Sequence, residues 1–503
     1  MNEEYVLSID LGTQGVKTAV LDYEGTVLAQ GFEKNVFCSE EEGEISIRPE
    51  DLMNAVRNTT RAVLSSNGEL ASRIACVSVV GMMAGIIGID DEWNPVTRYD
   101  TGLDKRCEDA IREMQQIGEK EIIRICGCPV IDAMGAKMYW WKTRRREVFS
   151  KVSKFIPVTS YVSGYIGALK ASEAYVDYTH IHLTCFADVV KCQWSHELLT
   201  LFQFPEEVLP VIVSPFEVIG ETSAVWERET GLPAGIPLIA GCGDTAASAL
   251  GAGLVKKNML LDVAGTASCI LACTDQYMPD TEKKIIMYPK SVIPGLWTPF
   301  GFVLGGETLS WYFNQVNYDG SYTFEKLSNE AEESDKDDLV FLPYFAGRIC
   351  PSDSCYSGGW FGLKFSNTRA DLFRSIMVSI AFEYRLYLER IRELADALDV
   401  RQLITSAGGA RSEAFCRIKA DVLQLPVTVL KQKDTSHKAS VIMASYARGI
   451  IDDMAKTALK MAEYDYAQTY GPDTQKEAKY REMYERYLKI IAYSGKMFHE
   501  IVF

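Results

Sequence analysis

Two stretches of the chain, separated by about 250 residues, follow the same plan. LSIDLGTQGVKTAVLD begins at Leu7, and LLDVAGTASCILACTD begins at Leu260. In each, an apolar segment ends in aspartate, a Gly-Thr turn follows and a second apolar segment continues, with an offset of one residue between the copies. A repeat over so long a distance is not a solenoid period. It predicts two related domains, each carrying a β-hairpin of the same kind.

The length of the chain agrees with this division. A single hydrophobic core stops growing at roughly 250–300 residues, and the chain has 503. We therefore predict an N-terminal domain over 1–250 and a C-terminal domain over 251–503, both of the α/β class. The periodicity of apolar residues predicts the elements. Strands are expected at 5–31, 74–81, 86–90, 237–241, 259–273 and 339–347. Helices are expected at 48–66, 105–155, 244–253 and 369–398, and a strand, a Gly-Gly turn and a helix are expected over 403–423. After about 450 we expect only charged, solvated helix.

Charge and composition limit the partners. Lys plus Arg is 52 and Asp plus Glu is 68, and the net charge of −16 disfavours nucleic acid and anionic membranes as partners. The acidic start MNEEYVLS lacks the features of a signal peptide, and no apolar run of about 18 residues predicts a membrane span. Thirteen scattered cysteines favour reduced thiols and a cytoplasmic location.

The turn of the first hairpin is unusually polar. A plain hairpin needs only two turn residues, yet Asp10, Gly12, Thr13, Gln14 and Gly15 cluster here. Glycine lets a backbone approach a ligand closely, and amides and hydroxyls stabilise anions without a fixed charge. The loop therefore indicates a site for an anion or for a metal-bound group.

A glycine-rich turn later in the chain allows a rival interpretation. AGCGDTA (240–246) follows a strand, opens a helix and gives G-x-G-x-x-A, and Asp262 ends the next strand about 20 residues on. This pattern is typical of a dinucleotide-binding fingerprint and would indicate an NAD-linked oxidoreductase. It leaves the first hairpin loop and the Gly408–Gly409 turn unexplained.

A second interpretation explains these features together. Two Gly-Thr loops facing each other across a cleft would offer amides and hydroxyls to phosphates. Asp10 would lie near a phosphate-bound Mg²⁺, and the Gly408–Gly409–Ala410 turn would give an adenine nucleoside a flat backbone surface. Asp244, at a strand-to-helix turn, would accept a proton from a substrate hydroxyl. This is the layout of a phosphoryl-transfer site.

The order and spacing of these segments resemble those of the FGGY carbohydrate kinase family, nearest to its xylulokinase-like branch, within the actin-like ATPase superfamily. The resemblance extends from about residue 5 to about residue 450. SIDLGTQGVKTAVLD resembles the first phosphate loop, GLDKR (102–106) the sugar-site segment, TGLPAGIPLIAGCGDTAASALGAG (230–253) the stretch with the catalytic aspartate, VAGTAS (263–268) the second phosphate loop, LGGETLSW (304–311) the glycine turn after it, and SAGGARSEAFCRIKADVLQLPV the adenosine-side motif.

The resemblance implies two ribonuclease-H-like domains with ATP and Mg²⁺ in a cleft between them, and transfer of the γ-phosphoryl group to a sugar or polyol hydroxyl. It implies that Asp244 is the catalytic base and that Asp10 lies near the Mg²⁺ ion. Nucleotide or phosphate positions fall on Gly12, Thr13, Thr266, Gly306, Gly409 and Ala410, and substrate positions fall on Met83, Ala84, Asp104 and Asp244. A homodimer is the working expectation for assembly.

The chain departs from the family pattern at three places. Ala84 stands where many pentulose kinases have histidine, Thr245 follows the catalytic aspartate in place of glutamine, and SHKASVIMASYA replaces a Gly-Ala-Ala segment. The loss of a hydrogen-bonding group at Ala84, beside the apolar Met83, predicts that D-xylulose is not the best substrate, and the replaced segment bears on nucleotide affinity. These departures also leave open a degenerate, nucleotide-binding homologue with a regulatory role. His180 and His182, on a strand-like run, are expected to be satisfied residues of the surface or the cleft.

Overall fold

The computed structural model describes residues 4–65, 68–265, 267–318, 320–334, 336, 338–395, 398–431 and 434–501. The chain forms two compact units. The first unit comprises Met1–Val255, Tyr288–Trp297 and Asp434–Met461, and the second comprises Lys256–Met287, Thr298–Lys433 and Ala462–Phe503. The sequence-based division at 250 assigns 434–461 to the C-terminal domain, but this segment packs with the first unit. No helix in the described part of the chain is both long enough and apolar enough to span a bilayer.

The strands and helices alternate along the chain as in α/β proteins. In chain order the strands are β1 (Tyr5–Gly12), β2 (Gly15–Leu21), β3 (Val27–Lys34), β4 (Phe37–Cys38), β5 (Ser46–Ile47), β6 (Ile74–Gly81), β7 (Ile87–Ile89), β8 (Tyr99–Asp100), β9 (Lys154–Ile156), β10 (Tyr175–Asp177), β11 (Ala187–Asp188), β12 (Gln193–Trp194), β13 (Val211–Val213), β14 (Val218–Glu221), β15 (Pro237–Ile239), β16 (Leu260–Ala264), β17 (Ser268–Ala272), β18 (Phe300–Val303), β19 (Val340–Leu342), β20 (Gly359–Phe361), β21 (Leu403–Ser406), β22 (Val427–Leu430) and β23 (Tyr464–Tyr470). The helices are α1 (Pro49–Ser65), α2 (Glu108–Cys126), α3 (Met134–Arg144), α4 (Arg146–Phe149), α5 (Val158–Gly167), α6 (His196–Leu201), α7 (Ala224–Thr230), α8 (Asp244–Gly251), α9 (Gly305–Val316), α10 (Phe324–Glu333), α11 (Arg369–Leu394), α12 (Glu413–Leu423), α13 (Thr435–Ala447), α14 (Met454–Met461) and α15 (Glu477–Glu500).

The first unit is built on a six-stranded sheet in the order β14-β15-β6-β1-β2-β3. Strands β1, β6 and β15 are parallel, and the outer strands are antiparallel to their neighbours. Because successive side chains of a strand face opposite sides, β1 serves two cores. Leu7 and Ile9 belong to the core that includes α1, whereas Val6 belongs to the core that includes α13. Ser8 faces α13 and donates a hydrogen bond to Ser440 at 2.8 Å.

The second unit repeats this topology. Its sheet has the order β18-β17-β16-β21-β22-β23, with β16, β21 and β22 parallel and the outer pairs antiparallel. Read from the opposite edge, each strand has a counterpart in the first unit, and β16 corresponds to β1. The two related α/β domains predicted from the repeat are confirmed.

The loops of the two hairpins explain the offset of one residue. Gly12 pairs with Gly15, so the first loop has two residues, whereas Ala264 pairs with Ser268, so the second has three. Counted back from these closing pairs, Asp10 and Asp262 occupy equivalent strand positions. The additional residue therefore lies in the second loop and not in the strand.

Two predictions of secondary structure are wrong. The 105–155 region is not helical throughout, because Gly127 adopts a left-handed conformation that ends α2, and the region closes in strand β9. The segment after 450 is not only helix, because β23 pairs with β22 at the edge of the second sheet. Helix α15 also buries aromatic side chains, including Tyr480 and Tyr487, and is not merely solvated.

Candidate active site

The carboxyl ends of three parallel strands meet at one edge of the first unit's sheet. Leu11 in β1 pairs with Gly81 in β6, which bridges to Gly243 after β15. The amide of Met82 donates to the Leu11 carbonyl at 2.9 Å, and the amide of Gly81 donates to the Cys242 carbonyl at 3.2 Å. Ligands of open α/β sheets bind outside this edge. The structure therefore brings the first hairpin loop, the segment after β6 and the start of α8 together.

Glycine makes this close approach of the strand ends possible. A Cβ atom on Gly81 would lie 2.6 Å from Cβ of Leu11. Gly241 has a φ of +72°, and a Cβ atom there would lie 1.7 Å from the Val79 carbonyl oxygen. Both distances are far shorter than normal carbon contacts, so a side chain at either position would displace a strand end.

The first hairpin loop is a two-residue turn, Thr13–Gln14, with both side chains exposed. The Asn35 side-chain amide donates to the carbonyls of Gly12 and Thr13 at 2.9 and 3.0 Å, and the Asn35 backbone N–H donates to the Gln14 carbonyl. Three successive carbonyls of the loop are thereby held by one residue. Asn35 was missed by sequence reasoning, because nothing in its local pattern links it to the loop.

Asp10 lies two residues before the end of β1, on the face of the sheet that carries α13. It is 9% exposed, and burial raises the pKa of its carboxyl, as does the negative charge of Asp244, while His437 and Lys17 lower it. The hydroxyl of Ser436 also favours the charged form. A buried carboxylate with so little compensation is a hard oxygen donor suited to a magnesium ion.

His437 accompanies Asp10 and comes from the SHKAS segment that distinguishes this chain. Its Nδ1 lies 2.8 Å from the Ser8 hydroxyl. Burial lowers the pKa of His437, although the negative charge of Asp10 raises it. Because its pKa is lowered, His437 compensates the charge of the Asp10 carboxylate only in part near neutral pH.

Asp244 is the first residue of α8. Its Oδ1 accepts hydrogen bonds from the amide and the hydroxyl of Thr245 at 2.7 and 3.3 Å. The side chain is partly exposed, and desolvation raises its pKa, while the Thr245 amide and the charge of His180 lower it. A carboxylate with a raised pKa is better suited than an ordinary one to accept a proton near neutral pH.

Met83 and Ala84 form the wall beside Asp244. A Cβ atom on Gly243 would lie 2.5 Å from the Met83 sulfur, so Met83 packs directly against the residue before Asp244. Ala84 has a φ of 66°, and its Cβ lies 3.4 Å from the Cβ position of Gly102. The structure thus places Met83 next to the predicted base and Ala84 next to the segment that leads to Asp104.

Asp104 lies in the same region, but its carboxylate is occupied by protein groups. It is 2% exposed and accepts hydrogen bonds from the Arg106 Nε at 3.0 and 3.1 Å and from the Ile45 amide at 3.1 Å. Arg106 also pairs with Asp100 at 2.6 Å, and burial raises the pKa of Asp100 to about 6. Arg106 belongs to the GLDKR segment that the sequence singled out, whereas Asp100 was missed by sequence reasoning, because only the folded chain brings it into the network of Asp104.

The second unit brings together the predicted nucleotide residues that it contains. A Cβ atom on Gly409 would lie 2.6 Å from Cβ of Ala264, and one on Gly305 would lie 2.5 Å from the Ser268 hydroxyl. Both ends of the second loop therefore contact a predicted nucleotide segment, and Gly306 is the second residue of α9. Thr266 lies outside the described residues.

A cavity of about 300 Å³ adjoins the Gly-Gly turn of the second unit. Its lining includes Ala407, Gly408, Ala410 and Arg411 on one side and Lys431 on the other. Ala407 has a φ of 65° and a ψ of −156°, a conformation that residues other than glycine rarely adopt. The turn is therefore held in a strained shape at the wall of this cavity, which is at the lower end of the size range of small-molecule pockets.

The dinucleotide-binding alternative is wrong. That fingerprint requires the strand, the glycine turn, the helix and the acidic residue to belong to one βαβ unit. Here β15 and α8 belong to the first unit, whereas Asp262 lies in β16, within a separate sheet of the second unit.

For the two histidines after β10, the expected strand-like run and the expected surface position are wrong. His180 and His182 do not lie on a strand or at the surface. They belong to a 3₁₀ turn, Ile181–Leu183, and its N-cap, and they are 0% and 1% exposed. The Nδ1 atom of His180 lies 2.5 Å from Oδ2 of Asp177. The order Asp-x-x-His was the available signal, since it suits a turn in which a carboxylate holds the following groups.

Comparison with known proteins assigns the chain to a family. Residues 5–251 match the N-terminal domain of the FGGY family of carbohydrate kinases, and residues 260–448 match its C-terminal domain. A xylulose kinase of Bacillus subtilis (strain 168) is 23% identical over 499 residues, covering 98% of this chain and 97% of that protein. A gluconokinase of the same strain is 24% identical over 488 residues, covering 94% and 93%.

The fold agrees with this assignment. A solved structure of a ligand-bound xylulose kinase from Lactobacillus acidophilus has a TM-score of 0.88 at 20% identity, covering 99% of each chain. These relatives are named as a xylulose kinase and a gluconokinase, and carbohydrate kinases of this family use ATP as the phosphate donor. Since both family domains match in order and cover most of the sequence, the chain belongs to the FGGY family of carbohydrate kinases.

Proposed function

We propose that the protein transfers the γ-phosphoryl group of ATP to a hydroxyl of an open-chain sugar, polyol or sugar acid, with Asp244 as the general base and Asp10 on the side of Mg²⁺. One observation carries this proposal. Two carboxylates with raised pKa values lie at the carboxyl edge of a single parallel strand set, and the charge of Asp244 acts on Asp10. Residues that tune proton affinity in this way mark functional sites.

The proton transfer follows from the position of Asp244. Its carboxylate takes the proton of the acceptor hydroxyl as that oxygen forms a bond to the γ-phosphorus. The bond between the γ-phosphorus and the β–γ bridging oxygen breaks, and its electron pair leaves with ADP. The hydrogen bonds from Thr245 hold Oδ1, which leaves Oδ2 for the substrate. General-base assistance of this kind contributes about 10²–10⁴ in rate.

The residues present fit a magnesium ion beside Asp10. The site offers a carboxylate oxygen, which Mg²⁺ prefers, and two negative charges that burial leaves poorly compensated. When bound, Mg²⁺ would neutralise charge on the phosphate oxygens. Asp10 would hold the ion, and the polar loop at Gly12–Thr13 would orient the phosphates.

The nucleotide residues of the second unit support the same reaction. Gly306 lies in the first turn of α9, where unpaired amides favour an anion. Gly409 and Ala410 belong to the strained turn beside the 300 Å³ cavity, which we assign to the nucleoside. Thr266 is proposed as a phosphate ligand on the family resemblance alone.

The relatives differ in the substrate that their names give. The relatives carry the names xylulose kinase, gluconokinase and autoinducer-2 kinase. At the substrate wall, Ala84 offers no hydrogen bond and Met83 is apolar and flexible. A buried hydroxyl left unpaired there costs about 1–3 kcal/mol. We therefore propose that D-xylulose is not the best substrate.

A substrate panel tests both the kinase activity and the substrate preference. ADP release is measured with pentuloses, hexuloses, tetritols and aldonates at fixed Mg-ATP, and kcat/KM is compared. We expect at least one acceptor to exceed D-xylulose by tenfold or more, which is about 1.4 kcal/mol of transition-state preference. D-xylulose in first place by tenfold would contradict the substrate proposal, and no turnover with any acceptor would favour the regulatory homologue. The homodimer and the cytoplasmic location stay predictions, open to sedimentation and to cell fractionation.

A further inference from the structure

A wholly buried network surrounds the turn that follows β10. Asp177 is 0% exposed, and its Oδ1 accepts hydrogen bonds from the amide and the hydroxyl of Thr179 at 2.9 and 2.5 Å. Its Oδ2 lies 2.5 Å from Nδ1 of His180, which is also 0% exposed. Both carboxylate oxygens are therefore satisfied within four consecutive residues, and the Asp177–His180 turn is rigidly defined.

This turn is connected to the helix that carries Asp244. The Thr179 hydroxyl donates its hydrogen to Asp177, so it accepts the hydrogen bond from the Gly243 amide at 3.1 Å. Gly243 is the N-cap residue of α8, and Asp244 follows it directly. The position of Asp244 thus depends on a hydroxyl that Asp177 orients.

The second nitrogen of the His180 ring, Nε2, is the one that Asp177 does not contact. The backbone of Met82 favours the charged imidazole. Within the described part of the chain, no group completes a hydrogen bond with Nε2. Asp244 also lies close enough for its charge to act on the ring. His180 is therefore close to the backbone of Met82 and to Asp244.

We propose that Asp177, Thr179 and His180 form a positioning unit for Asp244, in which Asp177 orients the Thr179 hydroxyl that accepts the hydrogen bond of the Gly243 amide and holds His180 as an imidazolium near the base. This inference rests on the proposed function, since it assigns His180 an effect that is transmitted through Asp244. His180 does not touch the substrate, because its side chain is wholly enclosed.

The charges around Asp177 and His180 favour the imidazolium form of His180. Burial opposes a charged His180, but Asp177 raises its pKa, and the net direction is upward. His182, on the same turn, is neutral, since burial lowers its pKa to about 3. The positive charge of His180 counteracts the desolvation that raises the pKa of Asp244. Five residues interact with Asp244 through charge or hydrogen bonds. They are His180 after β10, Thr245 in α8, Cys242 before α8, Tyr99 in β8 and Asp10 in β1.

The test compares His180→Gln and His180→Asn with the control His182→Gln. Asparagine can donate to Asp177 in place of Nδ1, and glutamine extends towards the Nε2 edge, but neither carries a charge. With the best acceptor of the panel, we expect both His180 variants to lose about tenfold in kcat at pH 7. The acid limb of their kcat/KM profiles should move up by about one pH unit, since an opposite charge at short range lowers a carboxyl pKa by about 1–3 units. The KM for Mg-ATP should stay within twofold.

The control separates charge from packing. His182→Gln removes an equally buried ring of the same turn and should leave the acid limb in place. An unmoved acid limb in folded His180 variants, or the same shift in His182→Gln, would overturn the inference. If neither His180 variant folds, the ¹⁵N spectrum of histidine-labelled wild-type protein decides the question, since a neutral His180 ring at pH 7 contradicts the positioning unit.

The parent proposal fails differently. Asp244→Asn with undiminished turnover would remove the general base itself, whatever the His180 variants do. A loss of turnover in Asp244→Asn together with unaltered His180 variants leaves the base in place and removes only the positioning unit.

Discussion

The two hairpins carry an aspartate at the same position of the same strand, but the two carboxylates have different surroundings. Asp262 in the second unit is 0% exposed and is enclosed by the Tyr384 hydroxyl at 2.6 Å, the Thr405 hydroxyl at 2.7 Å and the Lys419 ammonium at 2.5 Å. Asp10 in the first unit forms no ion pair with any described residue, and its pKa is raised. A repeated strand thus supplies a structural anchor in one unit and an available ligand in the other.

The difference arises on the helices and on one neighbouring strand, where Thr405 lies opposite Asp262 and Val80 lies opposite Asp10. Lys419 lies in α12, 157 residues from Asp262 along the chain. In the first unit, α13 offers His437, Ser436 and Ser440 to the face of β1 that carries Asp10, and none of these is a permanent cation. A lysine that pairs with a buried carboxylate prevents other ligands from binding to that carboxylate. Asp10 is compensated only partly, by hydroxyls, by an imidazole and by the charge of Lys17, which forms no ion pair with it, and this suits the proposed metal ligand.

Removal of the lysine should break the structural anchor. Lys419→Met leaves the Asp262 carboxylate buried without its cation, and such a loss costs about 3–5 kcal/mol of the free energy of unfolding. Urea denaturation measures it. The double variant Asp262→Asn/Lys419→Met is the matched control and should recover part of the loss, because asparagine is neutral and retains hydrogen-bonding groups for Tyr384 and Thr405. A single variant as stable as the wild type would show that the lysine does not anchor Asp262.

The equivalent change in the first unit should affect activity and not stability. Asp10→Asn removes the proposed ligand of Mg²⁺, so we expect a loss of about 10²-fold in turnover, or about 2.7 kcal/mol, and a higher Mg²⁺ concentration for half-maximal rate. The free energy of unfolding without metal should be unchanged or higher, because burial already disfavours the charged carboxylate. Wild-type kinetics at all Mg²⁺ concentrations would refute the metal assignment.

The pH dependence of stability should also distinguish Asp10 from Asp262, with a smaller effect than the substitutions. In the folded apo protein the pKa of Asp10 is raised, so the folded state holds its proton more tightly than the unfolded state does. Its stabilising contribution is complete below the unfolded value, about 3.9, and is lost as the pH rises through the higher folded value. A tenfold difference in proton affinity between the two states corresponds to about 1.4 kcal/mol. In metal-free buffer, the wild type should lose stability relative to Asp10→Asn as the pH rises from 4 to 7. A parallel pair of stability curves would contradict the raised pKa.

The sequence predicted the parts of the site that are local. Strand, Gly-Thr turn and strand lie within sixteen residues of each other in either hairpin, and glycine turns after strands are readable from residue type alone. These features were sufficient to predict the repeat, the α/β class and the segments that carry Asp10 and Asp244. They were not sufficient at β23, whose alternating tyrosines occur within a charged segment.

The partners of each carboxylate could not be predicted in this way. Lys419, His437 and Asn35 reach the hairpins from distant segments, and no local period links them to the loops. The sequence interpretation placed His180 on a strand-like run because it alternates with His182, whereas its proposed role depends on its buried contact with Asp177. Electrostatic function depends on tertiary neighbours, so residue type alone located the carboxylates but not their chemical state.

Replacement of Asp244 by asparagine tests the central claim most directly. The variant keeps the size of the side chain and its hydrogen-bonding capacity toward Thr245 but cannot accept a proton, and it should bind Mg-ADP as the wild type does. With the best acceptor of the panel, the account predicts a fall in kcat of about 10²–10⁴-fold with unchanged thermal stabilisation by Mg-ADP. A variant that binds Mg-ADP and turns over within a few-fold of the wild type would contradict the assignment of Asp244 as the base.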